Sequence, residues 1–437
     1  MTVPSQPVSL CKQTTLTSTP TPYEILSKYT VFPDAHQKAW WEKTGQLLNK
    51  VLISANYNTS RQFEALTFYT QVLIPHLGPY PFAFRSAITR SGLPLEFSVN
   101  YQQKGGAEPV VRIGYEPVSA ESGTEKDLYN QLPVLDLLKR LEEVQIPGFD
   151  ASLFHHFLEH HTLSAADKDA LTRNKMEGSD LTSQSAFGFD LRPQAVSVKG
   201  YTFPGFKCHA SGRSFGKLFA ESIQPIADRI GHFPSFDKVN EYLEETNGYS
   251  QVAFWSFDCV DPAKSRLKLY SSSNEVVWSK IEEIWTLGGR ADTSTVKEGL
   301  KYLSQLWQLT KVEEGHRAFT GGFDDGKDST PTPMVWNYEM KAGEEIPVTK
   351  FYFPIHGEND AKIVRGVAQY LSDIGLVEYG EGYEETVRDY FPDRDLEKTA
   401  RLTSWISFAY TEKTGVYLSV YYHSSDDYPW TEEEGSA

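Results

Sequence analysis

The sequence predicts an α+β fold in which a ten-stranded antiparallel β-barrel is surrounded by helices. Three observations predict it. Five hairpin-like pairs of strand patterns recur along the chain, with starts roughly 70–90 residues apart, too long and irregular a period for a solenoid. Stretches with helical apolar spacing fill the intervals. No composition break or flexible linker separates the units, so one sheet is more economical than five small domains, and closing it removes its edges.

Taken in order, residues 1–22 read as a disordered tail. Thirteen of these 22 residues are Ser, Thr or Pro, with one lysine and no arginine, a composition unlike a signal or transit peptide. A single domain is expected over 23–424. Helical spacing covers 35–56 and 62–75, and the first hairpin follows as 92–102 with 109–118. Helices at 126–144 and 150–161 lead to the second hairpin, 186–192 with 196–204. Helices at 214–230 and 236–246 lead to the third, 251–260 with 265–273. A helix at 294–309 precedes the fourth, 333–340 with 349–357, and a helix at 359–374 precedes the fifth, 404–412 with 415–423. The strand segments are rich in β-branched and aromatic residues that alternate with period two. Residues 425–437 read as a polar, acidic tail that frays.

Composition narrows the function. Of 437 residues, 40% are hydrophobic and 13% aromatic, enough to bury a large core. The 42 basic and 58 acidic residues give a net charge of −16, the wrong sign for a nucleic-acid or anionic-membrane binder. No apolar run reaches the ~18–20 residues of a membrane span. Three cysteines, Cys11, Cys208 and Cys259, make no disulfide framework and suit a reducing, cytoplasmic setting. The oligomeric state is left open.

The alternation assigns faces. In the first hairpin Leu95, Phe97 and Val99 share one face and Glu96 and Ser98 the other, while Val111 and Ile113 oppose Arg112. Lys199, Tyr201 and Phe203 line up, as do Arg266, Lys268 and Tyr270, then Lys350 and Tyr352, then Tyr417, Ser419 and Tyr421. Helices need an apolar surface to cover, so the aliphatic faces should point outward. The barrel interior then receives Glu96, Arg112, Arg192, Lys199, Arg266, Lys268, Lys350 and several tyrosines. An open sheet with one wet face fits the same pattern. Against it, cations alternate with aromatics in strand after strand of an acidic protein. Six cations around one enclosed space would be costly without an anion, so an anionic ligand of several charges, such as a diphosphate, is expected. Tyrosine faces nearby can shield a carbocation.

The segments GLPLEFSVN with VRIGYEP, VKGYTFP, AKSRLKLY, EIWTLGGR, KFYFPIHGEND and SWISFAYTEKTGVYLSVYYH carry a resemblance. From about residue 23 to 423 the chain resembles the fungal indole prenyltransferases, the dimethylallyltryptophan synthase family. RSGLPLEF, RAFTGGFDDGK, WNYE and KFYFPIHGEND carry a narrower resemblance, to reverse prenyltransferases of the notoamide and brevianamide type that act on tryptophan-containing cyclic dipeptides. The resemblance implies a barrel of αββα units and transfer of a dimethylallyl group from its diphosphate to an indole. The diphosphate is a co-substrate, and no cofactor or essential metal is implied. Arg112, Lys199, Arg266, Lys268 and Lys350 match diphosphate-binding positions, and Arg192 is added to them. Tyr201, Tyr270, Tyr352 and Tyr421 match the tyrosines that shield the allyl cation. Glu96 matches the glutamate that accepts the indole N–H. Phe203, Trp405, Thr411 and Tyr417 are placed in the acceptor pocket. Some members carry tyrosines at Phe203 and Trp405, an arginine at Thr411 and a glutamine at Lys350. Arg192 is aligned with a lysine of tryptophan-prenylating members. These departures suit a bulkier, less charged acceptor than free tryptophan.

Other motifs compete. His156-Phe-Leu-Glu159-His160 matches a zinc pattern, yet it sits in an amphipathic helix with no evident third ligand. Asp324-Asp325-Gly-Lys-Asp328 matches a magnesium motif of another prenyl synthase class, but its Gly-, Ser- and Pro-rich flanks read as a loop. Ser211–Lys217 has the wrong spacing for a P-loop. Cys208 and Cys259 read as buried apolar residues. A non-catalytic barrel storing an anionic small molecule is the alternative of a different class.

Overall fold

The computed structural model describes residues 20–81, 84–106, 108–173, 182–249, 253–317 and 332–425. Ten strands form the barrel: β1 (Leu95–Gln102), β2 (Val110–Tyr115), β3 (Ser185–Leu191), β4 (Val196–Thr202), β5 (Phe254–Asp258), β6 (Leu267–Ser273), β7 (Met334–Met340), β8 (Val348–Phe353), β9 (Thr403–Thr411) and β10 (Gly415–His423). Each pairs antiparallel with its sequence neighbours, and β1 pairs with β10, for example Val99 opposite Val420, which closes the cylinder. The expected hairpins are present, with ends that differ by one to a few residues; residues 251 and 252 of the third lie outside the described residues.

The outer face is apolar, as the alternation requires. Phe97, Phe187, Trp255, Leu269, Phe351 and Leu418 are at most 1% exposed and pack beneath the helical layer. Close approach depends on glycine at Gly200, where a Cβ would come within 2.7 Å of Phe154 on the covering helix Ser152–His161 and 2.4 Å of Phe257. Asp360, fully buried at the start of helix Asp360–Asp373, accepts the backbone N–H groups of Arg401, Leu402 and Thr403 and so fixes where β9 enters the barrel.

The helical expectations need four corrections. Residues 126–131 are not helical. The Asp127 carboxylate takes the N–H groups of Gln131 (2.8 Å) and Leu132 (3.0 Å), and the helix begins at Leu132, with Pro133 in its first turn where no N–H is needed. Helices Pro22–Tyr29, Ala165–Arg173, Gly205–Ser211, Trp278–Trp285 and Val377–Tyr390 were not expected. Residues 21 and 22 are not tail: Thr21 caps Pro22–Tyr29 in a capping box, and Tyr23 packs 4.9 Å from the Trp41 ring. The segment 214–230 divides into Phe215–Ile223, a short turn at Gln224–Ile226 and Ala227–Ile230. The remaining tail residues 1–19 and 426–437, Cys11 and the Asp324–Asp328 motif lie outside the described residues.

Candidate active site

The barrel encloses a cavity of about 300 Å³. Its lining follows from two rules. Period two points every second residue inward. Antiparallel order makes all even strands run one way and all odd strands the other. On the even strands a cation is followed two residues later by a ring or a glycine: Arg112 then Gly114, Lys199 then Tyr201, Lys268 then Tyr270, Lys350 then Tyr352. The cations therefore gather toward one end and the rings form the next level. The odd strands are read in reverse, so their later residues, Asp190, Asp258 and Glu339, reach the cationic end.

That end is a lattice of ion pairs. Asp190, opposite Arg112 in register and 1% exposed, contacts Arg112 Nε at 3.2 Å and is also hydrogen-bonded by Lys199. Asp258 accepts Arg266 Nε at 2.6 Å and Nη2 at 3.0 Å, and Lys268 Nζ at 3.5 Å. Arg266 Nη1 also donates to both Glu339 oxygens at 3.1 Å. Burial opposes ionisation of Asp190, but Arg112, Lys199 and Arg192 outweigh it and hold its carboxyl far below the usual range. Lys350 differs from the other four cations: no carboxylate lies within 4 Å of it among the described residues, and its ammonium sits 4.5 Å from the Tyr417 ring centroid. Burial, with Arg112 beside it, pushes Lys350 down to about 7.

Above the cations lies an arc of four tyrosines. Centroid separations are 6.1 Å for Tyr201–Tyr270, 6.0 Å for Tyr270–Tyr352 and 6.1 Å for Tyr352–Tyr421. Phe254 stacks on Tyr270 at 4.1 Å and leads to Phe203 at 5.5 Å. A register shift between Thr403 and Trp405 marks a bulge. There Trp405 lines the cavity and the Ser404 hydroxyl donates to Glu96 at 3.3 Å. Glu96 has room because Gly114 stands opposite it, where a Cβ would lie 3.0 Å from Glu96 Cγ. Burial without a cation partner pushes Glu96 up to about 8. Residues 87–90 line this end, and the buried Glu116, bonded by Ser86, Ser183 (2.8 Å) and Asn130 (2.9 Å), ties that segment to the barrel.

The cavity thus brings together Glu96, Arg112, Lys199, Tyr201, Phe203, Arg266, Lys268, Tyr270, Lys350, Tyr352, Trp405, Tyr417 and Tyr421. Three expectations are corrected. Arg192 does not line it: β3 ends at Leu191, the Arg192 N–H turns back onto the Asp190 carbonyl, and the side chain is 40% exposed with Nη2 on Asp190. Thr411 does not line it either, because it ends β9 and its hydroxyl is used by Thr414 in the turn. Tyr417 lines the cationic end rather than the acceptor pocket, where its phenol oxygen accepts Arg112 Nη2. The inward residues of β3 are Ala186, Gly188 and Asp190, so no basic side chain of that strand reaches the cavity.

The carboxylates Asp190, Asp258 and Glu339 were missed. Their alternation with Gly188, Ser256 and Asn337 is the signal in the sequence that places them on the inward faces. The six expected cations are five in the cavity wall, and they are partly neutralised in place.

A protein-family model described as tryptophan dimethylallyltransferase matches residues 36–386. The chain belongs to this family. It is a prenyltransferase of the ten-stranded barrel type. The prenyltransferase phqI of Penicillium fellutanum is 65% identical over 97% of this chain and 96% of its own length. Deoxybrevianamide E synthase notF of an Aspergillus species (strain MF297-2) is 43% identical, covering 97% of this chain and 95% of that one. The crystal structure of NotF in complex with brevianamide F and DMSPP superposes with a TM-score of 0.83 at 40% identity, over 93% of this chain and all of that one.

The competing zinc motif is absorbed into packing. His156 Nε2 meets the Ser222 carbonyl at 2.7 Å and His160 Nδ1 the His156 carbonyl at 2.9 Å. Among the described residues no cluster of three or more His, Cys, Asp or Glu side chains could hold a metal ion. Among them, too, no helix is long and apolar enough to cross a membrane.

Proposed function

We propose that this prenyltransferase transfers a dimethylallyl group from dimethylallyl diphosphate to the indole ring of a tryptophan-containing cyclic dipeptide such as cyclo-Trp-Pro, in reverse orientation at indole carbon 2. The barrel over 23–424 carries the activity, acting on small molecules in the cytoplasm. The observation that carries this reading is the stacking of levels: side-chain cations below, the tyrosine arc directly above, and a lone buried carboxyl beyond it.

The chemistry follows from that order. Diphosphate lies against Arg112, Lys199, Arg266, Lys268 and Lys350. As the allylic C–O bond breaks, its electron pair goes to the diphosphate, and preorganised cations stabilise the growing charge in a water-poor cavity. These five side chains do what a metal ion does in other prenyl transfers, so the reaction needs none. The allyl cation meets the faces of Tyr201, Tyr270, Tyr352 and Tyr421, which attract it without a strong nucleophile. Glu96, as carboxylate, accepts the indole N–H and raises the electron density of the ring. In the free protein burial pushes it up to about 8, so it must first give up its proton when the acceptor binds. Carbon 2 attacks the tertiary end of the cation, and its proton then passes to the released diphosphate, to Glu96 or to water, which restores the aromatic ring. Phe203 and Trp405 wall the acceptor, while Gly114 and Gly188 leave the space that the Glu96 and Tyr201 side chains occupy.

The test is incubation with dimethylallyl diphosphate and a panel of indoles, including free tryptophan, with and without EDTA, with products identified by mass and NMR. A reverse carbon 2 product from a cyclic dipeptide, unaffected by EDTA, is expected. Preference for free tryptophan would replace the acceptor. Dimethylallyl diphosphate recovered intact with every acceptor would leave a binding barrel.

A further inference from the structure

We propose that Asp190, Asp258 and Glu339 are resident counter-anions of the diphosphate site. They hold its cations in place while it is empty and compete with diphosphate for them, which lets the product diphosphate leave. The inference rests on the diphosphate reading above and adds three positioning residues that the chemistry does not itself use.

The placement is systematic. Each of the odd strands β3, β5 and β7 inserts one inward carboxylate between two even strands that carry cations. Asp190 bridges Arg112 and Lys199, Asp258 bridges Arg266 and Lys268, and Glu339 takes the other edge of Arg266. All three are buried or nearly so, with side chains 2%, 12% and 13% exposed. Five basic side chains against three carboxylates leave a formal excess of two positive charges, smaller where Lys350 has lost its proton. Without the carboxylates all five would face one another across a cavity of about 300 Å³. Such an array would spread apart when empty, and once filled would retain a multiply charged product. Lys350, which feels Glu339 only at a distance and has no carboxylate within 4 Å among the described residues, is the cation most available to an anion.

Loss of order and loss of competition predict opposite signs. If the carboxylates only fix geometry, removing one loosens diphosphate. If they compete, removing one tightens it, because a like charge has left the ligand's neighbourhood.

The experiment is calorimetric titration of inorganic diphosphate into the full chain and into Asp190→Asn, Asp258→Asn and Glu339→Gln, with folding checked by circular dichroism. Tightening of about tenfold or more is expected for the Asp variants and less for Glu339→Gln. Turnover should fall while diphosphate inhibits more strongly, a split that loss of structure would not produce. Unchanged or weaker binding in the folded variants would overturn the inference. Any one variant that fails to fold leaves the other two to decide. Wild-type protein that ignores diphosphate would remove the diphosphate reading itself, a result distinct from equal binding by all four proteins.

Discussion

Asp190 and Glu96 are both buried carboxyls facing one cavity, yet they hold opposite protonation states near neutrality. Asp190 stands among Arg112, Lys199 and Arg192, and their attraction outweighs the burial that opposes its charge. Glu96 is buried with no ion-pair partner among the described residues, and the Ser404 hydroxyl offsets that burial only in part, so it is pushed up to about 8. The difference lies in position along the strand and not in residue type. β1 and β3 run the same way, but Asp190 stands near the end of β3, at the cationic level, while Glu96 stands near the start of β1, at the far end. One enclosed space is thereby divided into a region built for an anion and a region built for an aromatic N–H.

Breaking the cationic region should have the largest effect. Lys268→Ala removes one of five cations from around the leaving group and is expected to lower turnover by ~10²-fold or more, read by product formation at saturating substrates. A turnover equal to wild type would dissolve the distinction between the two ends. Glu96→Gln strikes the other end. It should lower kcat/KM for the indole by about tenfold, with diphosphate affinity measured by calorimetry unchanged.

The same variant sharpens the electrostatic contrast. The folded-state affinity of Glu96 for a proton lies above its unfolded value of 4.5. Its contribution to stability is therefore complete below pH 4.5 and declines as the pH rises toward 8, when the unfolded chain ionises and the folded one does not. Melting curves should show Glu96→Gln gaining on wild type between pH 5 and pH 8, with no further gain above it. A constant difference would mean that Glu96 is not held protonated.

The tyrosine arc between the two ends should give a smaller effect. Tyr270→Phe keeps the ring and should stay near wild-type rate, while Tyr270→Leu should lose about tenfold; equal losses would assign the work to the hydroxyl. The smallest signal is a proton. Lys350 titrates at about 7 in the free protein, so at pH 8 diphosphate binding should draw a proton onto it. Calorimetry in buffers of different ionisation enthalpy should detect the uptake, and Lys350→Gln should reduce it.

The strands were legible because a barrel with an apolar exterior and a polar interior enforces period two on every strand. Glu96, Lys199, Tyr201, Lys268, Tyr270, Lys350 and Tyr352 could be placed from alternation alone. The helices were less legible where contacts hold them. Val377–Tyr390 contains Gly380 and Gly382 and a weak apolar stripe, yet Gly380 packs so tightly on Ala368 and Ser372 that a Cβ would lie 2.7 Å from the Ala368 carbonyl. Arg192 and Thr411 were misplaced because a pattern does not reveal the residue at which a strand stops.

By itself, the sequence determined the number of strands, their inward faces and the alternation of cations with rings, because these depend only on the residue-to-residue geometry of an extended chain. The tertiary structure decided which charges meet. Asp190 finds Arg112, Asp258 finds Lys268, and Glu96 finds no cation among the described residues, through strand register, position along the strand and barrel closure. Asp190 and Arg112 lie on strands separated by a long connection, and Asp258 and Lys268, though ten residues apart, meet only through the register of their hairpin, so period-two alternation alone encodes neither.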